Sequence, residues 1–156
     1  MSRVYLLAAD KPLPLCDRQA ERASTMVLPD IPALGDKRGA AISCTALRGF
    51  CVSEHTYYRH AVDILNYPIK PFQYELELEL HEDDLRHLPE YLSPHFSPGE
   101  TVELWSIWVG IDNNGRLPPH YTGKLADFDM DTLEQLLKPG NTPSGIPGQC
   151  RLTVTV

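Results

Sequence analysis

The sequence predicts an α+β domain with a mostly antiparallel or mixed sheet of four to five strands and with helices on one face. Two stretches support this prediction. Residues 73–81 alternate between apolar and charged side chains, the period-two pattern of a strand with one buried face. Residues 101–111 are apolar on both parities, as expected for a central strand that is covered on both sides. A ferredoxin-like arrangement with an inserted N-terminal segment is the nearest simple topology.

The length of 156 residues suits one domain with a substantial core. The 14 prolines and 10 glycines imply many irregular connections. We therefore expect a single α+β domain over residues 1–156. Within it, an irregular segment, residues 28–52, is expected to be inserted or packed over the sheet.

The first part of the chain contains one clear strand. Residues 3–9 are apolar on both parities and are followed by a charged pair and a proline, so they predict a buried strand near the sheet centre. Residues 15–26 contain good helix formers after a proline, which favours a helix. Prolines and glycines interrupt residues 28–50, where only a short strand at 40–45 is expected.

Helices are predicted on both sides of the alternating stretch. Ser53 is a suitable N-cap for a helix whose apolar side chains share one face up to Leu65. The other helix begins after residue 81 with three carboxylates in its first turn, where the helix dipole favours negative charge. Pro89 predicts either a kink in this helix or the start of a second short helix.

The last part of the chain contains a turn, a helix and a strand. Residues 112–115 favour a hairpin turn because Asn and Gly accept positive φ, and the two prolines that follow limit the returning arm to brief pairing at an edge. Asp129 is placed to cap a helix through Lys138, which explains the neighbouring aspartates better than an EF-hand loop does. Residues 149–156 alternate again and predict a strand with one buried face.

The chain is acidic, with 14 Lys and Arg against 21 Asp and Glu and a formal net charge of -7. This balance argues against nucleic acid as the main partner, because phosphate binding needs a basic surface. The acidity is concentrated in residues 71–156, which carry 14 acidic and 5 basic side chains. No apolar run approaches the roughly 18 residues of a membrane span, so we expect a cytoplasmic protein that does not bind membranes.

Six carboxylates lie close together in the sequence without an intervening Lys or Arg. They are Glu75, Glu77, Glu79, Glu82, Asp83 and Asp84. One interpretation is a solvated sheet face followed by favourable charges at a helix start. The other is a docking surface for a basic protein, as an inhibitor or immunity protein of a nuclease requires. We expect the protein to act through such contacts, without a cofactor, rather than as an enzyme.

A second cluster combines thiols and imidazoles, namely Cys44, Cys51, His55 and His60. Both groups are zinc ligands, and an imidazole beside a thiol also lowers the thiol pKa for nucleophilic chemistry. The spacing matches no common zinc pattern, so buried reduced thiols are the competing interpretation. A small metal-binding or cysteine-dependent enzyme using Cys44, Cys51 and His55 is therefore the alternative function.

Trp105 and Trp108 differ in parity, so they must face opposite sides of their strand. If helices cover only one face, one of these indoles needs a different cover. The candidates are a loop, residues 28–50 or a second subunit. A homodimer is the expected solution.

Overall fold

The computed structural model describes residues 2–19, 49–140 and 148–156. In these ranges the chain is α+β, with seven strands and three α-helices. The strands are β1 Ser2–Ala9, β2 Cys16–Asp17, β3 Cys51–Glu54, β4 Phe72–Glu77, β5 Thr101–Val109, β6 His120–Lys124 and β7 Cys150–Thr155. The helices are α1 Arg59–Leu65, α2 Glu82–Leu92 and α3 Met130–Leu137, with short 3-10 turns at Ser93–His95 and Leu125–Asp127.

All seven strands form one sheet in the order β2-β3-β4-β1-β5-β7-β6. Every neighbouring pair is antiparallel except β6 and β7, which are parallel, so the prediction of a mixed sheet is confirmed. The predicted count of four to five strands is wrong, and this strand order does not confirm a ferredoxin-like arrangement. Short strands such as the two-residue β2 escape sequence analysis because two residues cannot show an alternation.

Two hydrophobic clusters lie on opposite faces of the sheet. Leu7 and Leu104 belong to the larger cluster, together with side chains of α2 and α3. Leu6 and Trp105 belong to the smaller cluster, together with side chains of α1. The prediction of helices on one face is therefore wrong. Because β1 and β5 are apolar on both parities, both faces of the sheet centre need a cover.

The two tryptophans of β5 face opposite sides of the sheet, as predicted. Trp105 is only 1% exposed and lies under Tyr67, a residue of the connection between α1 and β4. Trp108 lies under the Arg3 guanidinium, whose carbon is 4.4 Å from the ring centroid. Both indoles thus have covers within one chain, so the argument that favoured a homodimer no longer applies. The homodimer itself stays a prediction.

The region before α1 differs from the sequence prediction. Ser53 is not an N-cap but part of β3, where it pairs with Glu75, and α1 begins only at Arg59. The predicted helix over 15–26 is replaced at its start by strand β2, because Cys16 pairs with Val52. The remainder of that helix, from residue 20, and the predicted strand at 40–45 lie outside the described residues.

Helices α2 and α3 begin where the sequence predicts. The side chain of His81 accepts the backbone N–H of Asp83 at the start of α2, and the helix continues through Pro89 without a second start. The Asp129 carboxylate accepts the backbone N–H of Thr132 at 2.9 Å and its hydroxyl at 2.7 Å. The cap of α3 is therefore confirmed, and so is the alternating burial of β7.

The turn after β5 forms as predicted, but the hairpin does not. Asn114 and Gly115 have φ values of 50° and 72°, the positive values that this sequence favours. The returning strand β6 does not pair with β5, since β7 lies between them. Instead β6 forms one edge of the sheet, where two preceding prolines are tolerated.

Candidate functional site

A cleft opens in the sheet where β1 and β4 separate. The two strands are paired only from Leu6–Glu75 to Ala9–Phe72. Beyond this point β1 stays on β5, whereas β4 continues beside β3 as far as Glu77. The separation leaves a cleft of about 370 Å³, lined by residues 3–5, residues 75–78 and Tyr58.

Two of the six predicted carboxylates line this cleft. Glu75 lies opposite Leu6 in the ladder, so its side chain projects from the face that α1 covers. Glu77 is two residues further along the same strand and therefore projects from the same face. Glu75 Oε1 is 3.2 Å from Nδ1 of the buried His55 and also accepts the backbone N–H of Tyr58 at 3.5 Å. Glu77 is exposed, and its Oε2 accepts a hydrogen bond of 2.7 Å from the Gln19 amide. Glu75 is thus bound within the fold, while Glu77 faces solvent.

The electrostatic effect of this acidic surface is visible at Cys51. In the ladder, Cys51 pairs with Asp17 on one side and with Glu77 on the other. The pKa of Cys51 is raised to about 11, chiefly by burial and also by the negative charges of Asp17 and Glu77. These carboxylates disfavour another anion in their neighbourhood and favour a cation.

The other four predicted carboxylates do not line this cleft. Asp84 is only 1% exposed, and its Oδ2 accepts the backbone N–H of Glu79 at 2.6 Å. A group so deeply buried cannot contact a docked protein, so Asp84 is removed from the predicted surface. Glu79 is half-buried, and Glu82 and Asp83 lie in the first turn of α2, whose helix packs on the other face of the sheet. The six carboxylates are close together in the sequence but lie in different parts of the structure.

The thiol and imidazole cluster does not converge among the residues that the structure describes. Cys44 lies outside them. His55 is buried against Glu75, and His60 is exposed on α1. Within the described ranges, no group of three or more His, Cys, Asp or Glu side chains is arranged to hold a metal ion.

Catalysis by Cys51 with His55 as its base is also unsupported by the geometry. The two residues are four positions apart along an extended segment, a span of about 13 Å at the usual rise of a strand. The raised pKa keeps the thiol protonated at neutral pH, whereas a nucleophilic cysteine needs a lowered pKa. A histidine or a cation beside Cys51 would have lowered the pKa of the thiol and would have supported a catalytic role.

Three residues of the candidate site were not singled out in the sequence. Asp17 comes to the site through the pairing of β2 with β3, and Gln19 through its hydrogen bond to Glu77. Tyr58 is placed by the connection that leads into α1. Contacts between residues so far apart in the chain leave no local pattern that sequence analysis could find.

No helix in the described part of the chain combines the length and apolar character needed to cross a membrane. Comparison of the chain with protein-family models, curated proteins and solved structures gave no match.

Proposed function

We propose that this protein is a non-enzymatic cytoplasmic protein that binds a basic protein, with the acidic cleft between β1 and β4 as the contact site. One observation carries the proposal: Glu75 and Glu77 both line this cleft. Asp17 extends the same negative surface, as its effect on Cys51 indicates. An inhibitor or immunity protein of a basic enzyme is the class of protein that this arrangement fits.

The cleft has negative charge available for a partner. Within the described ranges, neither Asp17 nor Glu77 forms a salt bridge, and each accepts a hydrogen bond from Gln19. Arg3 also lines the cleft, but its guanidinium donates to the carbonyls of Leu137 and Gly148 on the other face. A lysine or arginine side chain from outside would therefore meet carboxylates that form no salt bridge with the described part of the chain.

The size of the cleft is sufficient for a side chain of a docked protein. Its volume of about 370 Å³ lies near the lower end of the range of about 300–1,000 Å³ for small-molecule sites. The net charge of -7 adds a long-range attraction for a basic protein, which raises the association rate at low ionic strength. The cleft would bind a basic side chain of the partner, and the negative charge of the whole chain would attract the partner from a distance.

The test uses two double variants that change the net charge equally. Asp17→Asn with Glu77→Gln removes one charge in the cleft and one on the nearby strand β2, but keeps the oxygen acceptors that bind Gln19. Asp131→Asn with Glu134→Gln removes two exposed charges on α3. The tagged proteins are incubated with lysate of the source organism, and captured proteins are identified by mass spectrometry.

The expected result is one dominant basic protein, retained by wild type and by the α3 variant. The cleft variant should retain at least about tenfold less of it, because a desolvated ion pair is worth more than about 1.4 kcal/mol. Capture should also weaken as salt is raised. Equal retention by the two variants, or no basic protein among the captured species, would contradict the proposal.

A further inference from the structure

Strand β6 is an edge of the sheet that the described residues form. In the described part of the chain, β7 is the only strand that pairs with it, and four of its five residues are exposed. The backbone N–H of Arg151 donates to the carbonyl of Pro119 at 2.8 Å. This bond determines which residues of β6 direct their backbone groups towards β7. In such a ladder alternate residues use both backbone groups on the same side. Tyr121 and Gly123 thus face β7, and the backbone groups of residues 120, 122 and 124 point outward.

We propose that two copies of this chain associate by antiparallel pairing of β6 with β6, about a twofold axis through Thr122. In this register the two copies of Thr122 form a hydrogen-bonded pair, and His120 of each copy pairs with Lys124 of the other. These are the three residues whose backbone groups point outward, so all of those groups find partners. The two sheets then form one continuous sheet.

The side chains are complementary in the same register. Tyr121 of each copy lies opposite Gly123 of the other, in a non-hydrogen-bonded pair where side chains approach most closely. An aromatic ring that covers an edge glycine across the strands is a known stabilising arrangement. The twofold axis is perpendicular to the sheet, so both residues of each pair lie on the same face.

A groove is present where this tyrosine would lie. Tyr121 and Gly123 are opposite Leu152 and Val154, which places them on the face that α3 covers. A groove of about 350 Å³ runs beside Gly123 and is lined by residues of β6, β7 and α3 and by Phe128, which precedes α3. No described atom lies within 4 Å of the position that a Cβ on Gly123 would take. The ring of Tyr121 from the second copy fits this open, partly apolar space.

The charges of β6 do not oppose pairing with a second copy. The strand His120–Lys124 contains no carboxylate, although the chain carries a net charge of -7. Pairing therefore places no two carboxylates opposite each other. The remaining repulsion acts between whole chains and is screened by salt, so association should strengthen as ionic strength rises. Binding of a basic partner at the cleft should weaken under the same change, which separates the two proposals.

Gly123→Val tests the interface without disturbing the isolated fold. The backbone of Gly123 does not have positive φ and the site is open, so a β-branched residue is accepted and favoured in a strand. In the dimer the same side chain would exclude Tyr121 of the second copy. Gly140→Val is the control, because no described atom lies near its Cβ position either.

Sedimentation velocity over a range of concentrations up to about 200 μM reads the result. Wild type and the Gly140→Val variant should shift from 17.5 kDa towards twice that mass as the concentration rises. Gly123→Val should weaken the association at least about tenfold. This variant should unfold at no lower urea concentration than wild type. Wild type that stays at 17.5 kDa, or a Gly123→Val variant that associates equally well, overturns the proposal. A monomer would leave the β6 edge to a strand from a different protein.

Thr122→Cys tests the register itself. The two Cα atoms of a hydrogen-bonded antiparallel pair are about 5.5 Å apart, within the range that a disulfide spans. Under mild oxidation this variant should form a covalent dimer that a thiol reductant cleaves, and an Asp131→Cys variant on α3 should form no more than wild type. Equal amounts of covalent dimer in the two variants would exclude the twofold axis at Thr122.

Discussion

Tyr67 stacks on Trp105, with ring centroids 5.8 Å apart and planes 14° from parallel. Trp105 lies in β5, and its Nε1 donates to the buried carboxylate of Glu103 at 2.9 Å. Tyr67 follows α1, so the connection that leads into β4 completes the cover of this face. The stack explains how a helix of only seven residues protects a face of the sheet centre.

Removing this ring should destabilise the fold. We expect Tyr67→Ala to lower the free energy of unfolding by about 2–3 kcal/mol, because it uncovers the indole and deletes buried aromatic area. Tyr57→Ala is the control, since Tyr57 is 83% exposed, and it should cost less than about 0.5 kcal/mol. Urea unfolding measures both values. Equal costs would mean that the cover of Trp105 does not depend on Tyr67.

Glu75 should matter for stability as well as for binding. The side chain of His55 is 0% exposed, and its Nδ1 is 3.2 Å from Glu75 Oε1. Glu75→Leu leaves that buried nitrogen without its partner, which should cost about 1–3 kcal/mol of unfolding free energy. Glu75→Gln keeps an amide group there and should recover part of the loss.

Glu77→Leu provides the matched control for Glu75→Leu, because it changes an exposed carboxylate on the same strand and face. Its unfolding free energy should stay within about 0.5 kcal/mol of wild type. If both leucine variants unfold at the same urea concentration, the contact between His55 and Glu75 contributes nothing to the fold. The expected difference is also the reason why the binding test changes Glu77 and leaves Glu75 intact.

The strands that bury both faces or alternate cleanly were predictable from the sequence. β1 and β5 are apolar on both parities and pair on both sides, and β7 alternates as expected. The different positions of these carboxylates, with Glu75 and Glu77 in the cleft and Asp84 buried, were not predictable from the sequence. They depend on where β4 ends and the chain turns into α2, and the backbone N–H of Glu79 draws the Asp84 carboxylate inward.

The remaining errors arise from pairing between distant segments. Ser53 has the chemistry of an N-cap, but the ladder with Glu75 holds it in a strand. The Asn-Gly turn after β5 favours a hairpin, but β7 pairs with β5 and displaces β6 to the edge. In both cases a local preference of about 1 kcal/mol is outweighed by strand pairing and burial, which sequence patterns at one position do not record.

The N-cap of α3 should be measurable by a single substitution. Asp129→Ala removes the acceptor of the Thr132 N–H and hydroxyl, so the variant should unfold at a lower urea concentration than wild type. Asp131→Ala, in the same turn but without a cap bond, should have a smaller effect. The hydrogen bonds from Thr132 lower the pKa of Asp129, so its contribution is present above the ordinary carboxyl pKa and is lost as pH falls through the lowered one. An equal effect of both alanine variants would contradict the cap.

The buried thiol of Cys150 and the partly buried thiol of Cys51 should make the fold sensitive to alkali. Burial raises the pKa of both Cys51 and Cys150 to about 11, from an ordinary value of 9.0. A pKa that is higher in the folded state means that the unfolded chain loses these protons first. The contribution to stability is therefore complete below pH 9 and is lost as pH rises towards 11. Urea unfolding at these two pH values should show a decrease in wild type.

A variant with Cys51→Ser and Cys150→Ser separates the thiols from other groups that titrate in this range. Serine does not ionise there, so the decrease in unfolding free energy between the two pH values should be smaller in this variant, whatever its stability at neutral pH. Burial also raises the pKa of Tyr67 and Tyr91, so these phenols contribute to the part of the decrease that persists. An identical pH dependence in variant and wild type would show that neither thiol is held protonated by the fold.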